Sequence, residues 1–248
     1  MDKIIRITLT LFVFILVWYL VVITLRIPTY ILPDPITIFK SLTVNRLAIF
    51  TNSIITLKES FLGFFIANII SVTIALGIVF NKNIENTIMP FAITLKTIPI
   101  IAITPLLVVW FGPGEYSKIA TAALICFFPS LVNVLRGVKS LDRDLVNFFK
   151  AYSANKIQLI KMLIIPSILP YLFAALKISS SLAVVGALVG EFIGANKGLG
   201  FLIISNYYTL NTPYVFSSII ISSLIGILFY YAIHFVEKRV VTWTATID

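Results

Sequence analysis

The sequence predicts an all-α integral membrane protein with six transmembrane helices and a cytoplasmic helix–turn–helix between the fourth and fifth. Three observations predict it. The first is composition: 59% of the 248 residues are hydrophobic and 12% are charged, more apolar surface than a water-soluble fold can bury. The second is a series of long runs with few charges, at about 7–25, 53–80, 87–111, 116–138, 171–193 and 213–236, each long enough to cross a bilayer. The third is one long polar interruption at 139–170; six of the 19 Lys and Arg residues fall between Arg136 and Lys161. No internal repeat, low-complexity segment or second soluble region stands out, so residues 1–248 read as one transmembrane domain.

Taken in order, Lys3 and Arg6 precede an uncharged run from Ile7 to Leu25. The run is long for a signal peptide. Thr24, Leu25 and Arg26 stand where a small-residue cleavage site would be, so it reads as a retained span with a cytoplasmic N-terminus. Residues 27–53 contain Pro28, Pro33 and Pro35; Pro33-Asp34-Pro35 forces extended backbone, and a helical turn can begin at Ile36. The second span carries Lys58 and Glu59 in its first turns and leaves through Asn81-Lys82-Asn83. The third contains Lys96, Pro99 and Pro105, which exclude a straight helix. Gly112-Pro113-Gly114 turns the chain into the fourth span, which holds Pro129. The sixth ends on Glu237-Lys238-Arg239.

The net charge of +9 invites a nucleic-acid reading, but the cations are scattered among hydrophobic runs, and orientation in lipid explains them better. Eleven (3, 6, 82, 136, 139, 143, 150, 156, 161, 238, 239) fall on the proposed cytoplasmic side, and both termini are placed there. Six (26, 40, 46, 58, 118, 197) fall outside, and Lys96 and Lys177 lie within spans. The bias agrees with the positive-inside rule. Cys126 is the single cysteine, which excludes an intrachain disulfide.

The polar segment has helical periodicity. Leu145, Phe148, Phe149 and Tyr152 share one face, with Asp142 and Asp144 at the start and Lys150 near the end, as a helix dipole favours. Ser153-Ala154-Asn155 reads as a turn, and Asn155 with Gln158 forms a capping-box pattern. A second short helix follows, with Ile157, Ile160 and Ile164 on one face, and Pro166 should end or bend it. Its apolar faces need a cover: the chain itself, the lipid interface or a partner's groove.

In the fifth span Gly186, Gly190, Gly194 and Gly198 recur every four residues, with Ser179 and Ala183 continuing the small character. Such a stripe lets backbones approach closely. It serves either packing within the monomer or a seam or gate. Glu191 follows Gly190 near the outer end; a carboxylate at membrane depth faces a cavity, a partner or water. Lys96 either snorkels to the interface or faces a polar cavity between broken helices. The run Gly194-Ala-Asn-Lys-Gly198-Leu-Gly200 lacks the Gly-Lys-Ser/Thr ending and flanking strand of a phosphate loop, so nucleotide binding is rejected. His234, the one histidine, reads as an interface residue. No Ser/His/Asp set, His/Cys cluster or paired carboxylates suggest catalysis or a metal site.

The order of motifs resembles the permease subunits of bacterial ABC importers. The run Asn147-Phe148-Phe149-Lys150-Ala151-Tyr152-Ser153-Ala154-Asn155, ending Ile164-Ile165-Pro166-Ser-Ile-Leu-Pro170, resembles the family's EAA loop. Ile31-Leu-Pro-Asp-Pro35 resembles its Leu-Pro-x-Pro. Lys96-Thr-Ile-Pro99, Pro105-Leu-Leu and Trp110-Phe-Gly resemble its third span. Gly190-Glu-Phe-Ile-Gly-Ala-Asn-Lys-Gly-Leu-Gly200 resembles the nitrate/sulfonate/taurine branch. The departures are Asn147 for the usual Glu, Phe148 and Phe149 for the Ala pair, and Ser153 for Gly.

The resemblance implies a transport subunit of a bacterial inner-membrane importer, not an enzyme. ATP and magnesium would sit on cytoplasmic ATPase partners, and this chain would bind no cofactor or metal. A second permease chain, forming a homodimer, and an extracytoplasmic solute-binding protein would complete the machine. Asn147, Phe148, Phe149, Lys150, Ala151, Ser153, Ala154 and Lys161 would couple to the ATPase; Lys96, Gly186, Gly190, Glu191 and Gly194 would serve the path or gate. The implied solute is a sulfonate-, taurine- or nitrate-type anion, with a thiamine-pyrimidine precursor or riboflavin as the alternative. A stand-alone carrier would instead show inverted repeats and more intramembrane charges. A membrane enzyme would show a catalytic cluster.

Overall fold

A computed structural model describes residues 2–243, and every regular element in them is helical. Of Lys3, Lys82, Arg143 and Lys150 the backbone is described, and the side chains lie outside the described residues. The first helix, α1 (Asp2–Thr24), is exposed over most of its length; near its end Val22 is buried, and the Trp18 ring lies 5.9 Å from that of Phe216. Next comes α2 (Pro35–Val44), started by Asp34, whose carboxylate accepts from the Ile36 and Thr37 amides and the Thr37 hydroxyl. The sequence places a short helix here, one residue later.

The second long helix, α3 (Arg46–Phe80), begins seven residues before the expected 53. Glu59 therefore lies about three and a half turns inside it, rather than in its first turns. The third expected span is two helices, α4 (Lys82–Thr97) and α5 (Ile100–Phe111), bent by 104° at the break. Ile98 and Pro99 are extended there, because the residue before a proline disfavours helical backbone. The chain then enters α6 (Glu115–Lys139).

The polar segment forms α7 (Arg143–Ala151) and α8 (Lys156–Leu159). Pro166 does not end the second of these helices. The chain passes through a π-helical stretch, Ile160–Ile164, straight into α9 (Ile165–Glu191), giving one rod from Lys156 to Glu191. A proline lacks the N–H of the regular helical ladder and its ring crowds the carbonyl four residues back. The wider π turn immediately before Pro166 relieves that crowding. A short helix, α10 (Leu199–Tyr208), unforeseen from the sequence, precedes α11 (Thr212–Val240).

Four helical stretches are long and apolar enough to cross a membrane: α3, α6, the α8–α9 rod and α11. The bent α4–α5 pair makes five if it counts as one span, while the apolar part of α1, Thr8–Thr24, is shorter. The centre is the trio α3, α6 and α9, with α11 packed on α9. One core joins Phe64, Cys126, Ala183, Val184 and Phe229; a second, toward the α7–α8 end, joins Ala75, Val134, Ile164 and Ile168. Gly186 and Gly190 explain how α6 and α9 approach so closely. A Cβ on Gly186 would come within 2.6 Å of the Ala122 backbone, and one on Gly190 within 2.9 Å of that of Lys118.

Candidate functional site

Two groupings stand out, one at each end of the bundle. At the first end, Asp142 caps α7 by accepting the Asp144 amide at 2.8 Å. The helix stops where Ala154 N–H bonds the Phe149 carbonyl at 3.0 Å, a Schellman-type closure that sets Ser153 at φ 53°. That left-handed geometry is why glycine suits this position. The Asn155–Gln158 capping box is present in both directions, at 2.8 and 2.9 Å.

The sequence pattern puts Leu145, Phe148, Phe149 and Tyr152 on one face; Leu145, Phe148 and Tyr152 stay 47%, 55% and 75% exposed, while Phe149 is turned partly inward. The Phe148 and Tyr152 rings lie 4.7 Å apart. Asn147, Ala151, Ser153 and Lys161 are exposed, and Phe149 and Ala154 are half-buried. The structure thus shows a closed helix–turn–helix whose apolar face is left uncovered by the described residues.

At the opposite end, the α3 start, the α5–α6 turn and the loop after α9 converge. Asn52, Thr56 and Glu59 project from one side of α3, at i, i+4 and i+7. Glu191 is 1% exposed; its Oε1 accepts the Thr56 hydroxyl at 2.6 Å and its Oε2 accepts the Gly200 amide. Thr56 Oγ1 in turn accepts the Leu199 amide at 2.8 Å, and Asn52 Oδ1 accepts the Gly198 amide at 2.6 Å. Three consecutive amides at the start of α10 are therefore held by side chains of this chain. Gly198 sits at φ +104°, and a side chain there would run into the Glu191 carboxyl.

Lys118, 2% exposed, donates to the Pro113 carbonyl and to Ser117 Oγ. Glu59, 4% exposed, neighbours both Glu191 and Lys118. Lys58 and Glu115 form an ion pair over the same spot. The sequence singles out Glu191, but it treats Lys118 as one of the outside cations and places Glu59 in the first turns of the second span without a role; the structure buries both. The signal for Glu59 is the polar stripe Asn52, Thr56, Glu59, incomplete while the helix is taken to begin at 53.

The remaining path candidates are scattered. Gly186 and Gly190 face α6 inside the chain, and Gly194 is an exposed turn at φ +68°. Lys96 ends α4 at the break, exposed, its Nζ 4.7 Å from the Phe128 ring centre. Lys177 of α9 pairs with Glu237 of α11 at 2.7 Å, and His234 Nδ1 lies 3.3 Å from the same carboxylate. Among the described residues no three His, Cys, Asp or Glu side chains gather as a metal site would require.

Residues 62–242 match the family model described as the binding-protein-dependent transport system inner membrane component. The formylaminopyrimidine transport permease protein ThiX of Halalkalibacterium halodurans is 36% identical over 215 residues, 86% of each chain. The taurine transport system permease protein TauC of Escherichia coli is 27% identical over 241 residues, 94% of this chain and 88% of that one. Among solved structures, an inward-facing MetNI methionine ABC transporter superposes with TM-score 0.67 at 21% identity, over 79% of this chain and 96% of that one.

Proposed function

The chain belongs to the family of binding-protein-dependent transport system inner membrane components, the permeases of ABC importers, and we propose that it imports a small organic anion of the sulfonate or taurine type. In this reading α1, α3, the α4–α5 pair, α6, α9 and α11 are the six spans. The α7–α8 end faces the cytoplasm, and two such chains pair beneath an extracytoplasmic binding protein. ATP and magnesium belong to two cytoplasmic ATPase subunits. The likeness to TauC supports the anion; the likeness to ThiX favours a pyrimidine-type solute as the second reading.

The observation that carries the coupling role is the open face of α7. Leu145, Phe148 and Tyr152 are exposed on a segment rich in charge. Burying each against a partner's groove gains roughly 1.5–3 kcal/mol. From this face the path of force is continuous. The rod Lys156–Glu191 has 36 residues, so it reaches about 54 Å, from the docking element to the buried Glu191. ATP-driven closure of the partner would pull on one end of the rod and shift the trio at the other.

Replacing Phe148 and Phe149 with Asp tests the coupling role. The variant should insert and fold normally yet fail to retain the ATPase during purification from membranes. Full retention of the ATPase would refute the docking assignment.

A further inference from the structure

Two buried carboxyl groups meet where α3, α6 and α9 cross. Thr56 of α3 bonds the Glu191 carboxylate at 2.6 Å, and Glu59 lies one turn further along the same side of α3. Glu59 is therefore set beside Glu191, within hydrogen-bonding reach of its carboxyl group. Among the described residues Lys118 is the one buried cation, and its ammonium is committed to the Pro113 carbonyl and Ser117 Oγ. Glu191 has a donor for each oxygen, the Thr56 hydroxyl and the Gly200 amide. Glu59 does not: its Oε2 is sealed from solvent and has no hydrogen-bond partner. An orphaned acid oxygen in a buried site is costly unless a hydrogen is supplied to it.

The surroundings decide what supplies that hydrogen. Glu59 and Lys118 line a cavity of about 490 Å³ together with Lys58, Glu115, Asn196 and Lys197. A metal ion there would face three ammonium groups, and among the described residues no set of three acids gathers to hold it. A basic side chain from another molecule would meet the same three cations. Two ionised carboxylates in contact would repel each other, with one ammonium to offset them. A single proton removes both difficulties. It makes one acid a donor to the other and leaves one carboxylate against one ammonium.

We propose that Glu59 and Glu191 share one proton, and that this proton latches residues 198–200 to α3. With the proton in place, Glu191 keeps its bonds to Thr56 and the Gly200 amide. Hydroxide arriving through the cavity takes the proton as water and leaves two carboxylates, whose repulsion drives Glu191 off these donors. The latched form is the protonated one, so the latch holds as pH falls and is lost as pH rises. Besides Lys118, the titratable groups facing the pair are Lys58 of α3, Glu115 of α6 and Lys197 of the following loop. Lys58 and Glu115 pair with each other. Tyr116 of α6 is exposed, α5 carries no titratable residue, and Tyr207 and Tyr208 of α10 are exposed at its far end. Tyr214 of α11 packs with Ile49 and Leu199. On the permease reading this end faces the extracytoplasmic side, and the latch follows the pH outside the cell.

The test uses the full chain in lipid nanodiscs and reads the proton directly. Infrared spectra at neutral pH should show a protonated-carboxyl stretch that shifts in deuterium oxide. That band should vanish in Glu59→Gln, whose amide donates to Glu191 without titrating. In the wild type, alkaline pH should abolish the band and, after correction for intrinsic exchange, speed amide exchange at residues 198–200 at least tenfold, with α7 unchanged. Glu59→Gln should keep the slow exchange at every pH. A purely structural Glu59 predicts no such band. The proposal is overturned if the wild type lacks the band at neutral pH, if the band survives in Glu59→Gln, or if exchange in that variant follows pH as in the wild type. Where Glu59→Gln does not fold, the wild-type titration decides alone: band loss and faster exchange at the same pH support the shared proton, and changes at separate pH values overturn it. Neither readout needs the ATPase, so their failure leaves the permease reading standing.

Discussion

Single residues set the two ends of the molecule. Ser153 holds a left-handed backbone that costs a non-glycine residue about 1 kcal/mol. Ser153→Gly should therefore slow amide exchange at Ala154 severalfold; unchanged or faster exchange would contradict the strain. At the other end, Glu191→Gln puts an amide where the Thr56 hydroxyl and the Gly200 amide both donate. The mismatch should cost about 2 kcal/mol and appear as faster exchange at residues 198–200, with α7 unaffected. Asp34 gives a pH signature. Burial works to raise its pKa, but bonds from the Thr37 hydroxyl and the Thr37 and Ile36 amides outweigh it, and the carboxyl is held below its usual value. A lowered native pKa stabilises above the unfolded value and is lost as pH falls through the native one. Asp34→Ala should cost about 1 kcal/mol at neutral pH and flatten that acid limb; a limb unchanged in the variant would count against the cap. Some of this detail is legible in sequence. The capping box at Asn155 is local chemistry and reads directly, as does the Ser-for-Gly departure at 153. The burial of Lys118 is not, because only the crossing of α3, α6 and α9 puts it inside.

At the scale of elements, the lesson concerns where helices begin and what a proline does. Periodicity finds α7 and α8 because their apolar faces are unambiguous. It misplaces the start of α3, because residues 46–52 are mixed in character and the helix is continued by packing rather than by pattern. It has Pro166 end or bend the helix, and of these the ending does not occur, because a π turn carries the helix through. The broken third span is foreseen from Pro99, but its angle is not, since that depends on what α4 and α5 pack against. The pair Lys177–Glu237 ties α11 to α9 with both side chains about one-fifth exposed. Removing one partner, as in Lys177→Met, should destabilise by about 2 kcal/mol. The charge swap Lys177→Glu with Glu237→Lys should recover most of it in a thermal melt of the detergent-solubilised protein. A swap no better than the single variant would show that packing, not charge, holds the pair.

At the scale of the whole molecule, composition and span length dictate an all-helical membrane protein, and the order of short motifs identifies the family that residues 62–242 match. What the sequence leaves open is which faces are free. The glycine stripe at Gly186 and Gly190 is used within the chain against α6, while Leu145, Phe148 and Tyr152 of the α7 segment stay exposed. The most direct test is a mild-detergent purification of the tagged chain from its native membranes, with partner stoichiometry and ATP-driven solute uptake measured on the same complex. Two ATPase subunits for every two permease chains, with uptake strictly dependent on ATP, is the expected result. A chain that emerges alone, well folded, and moves solute without ATP would contradict the coupling role of α7 and the importer mechanism with it.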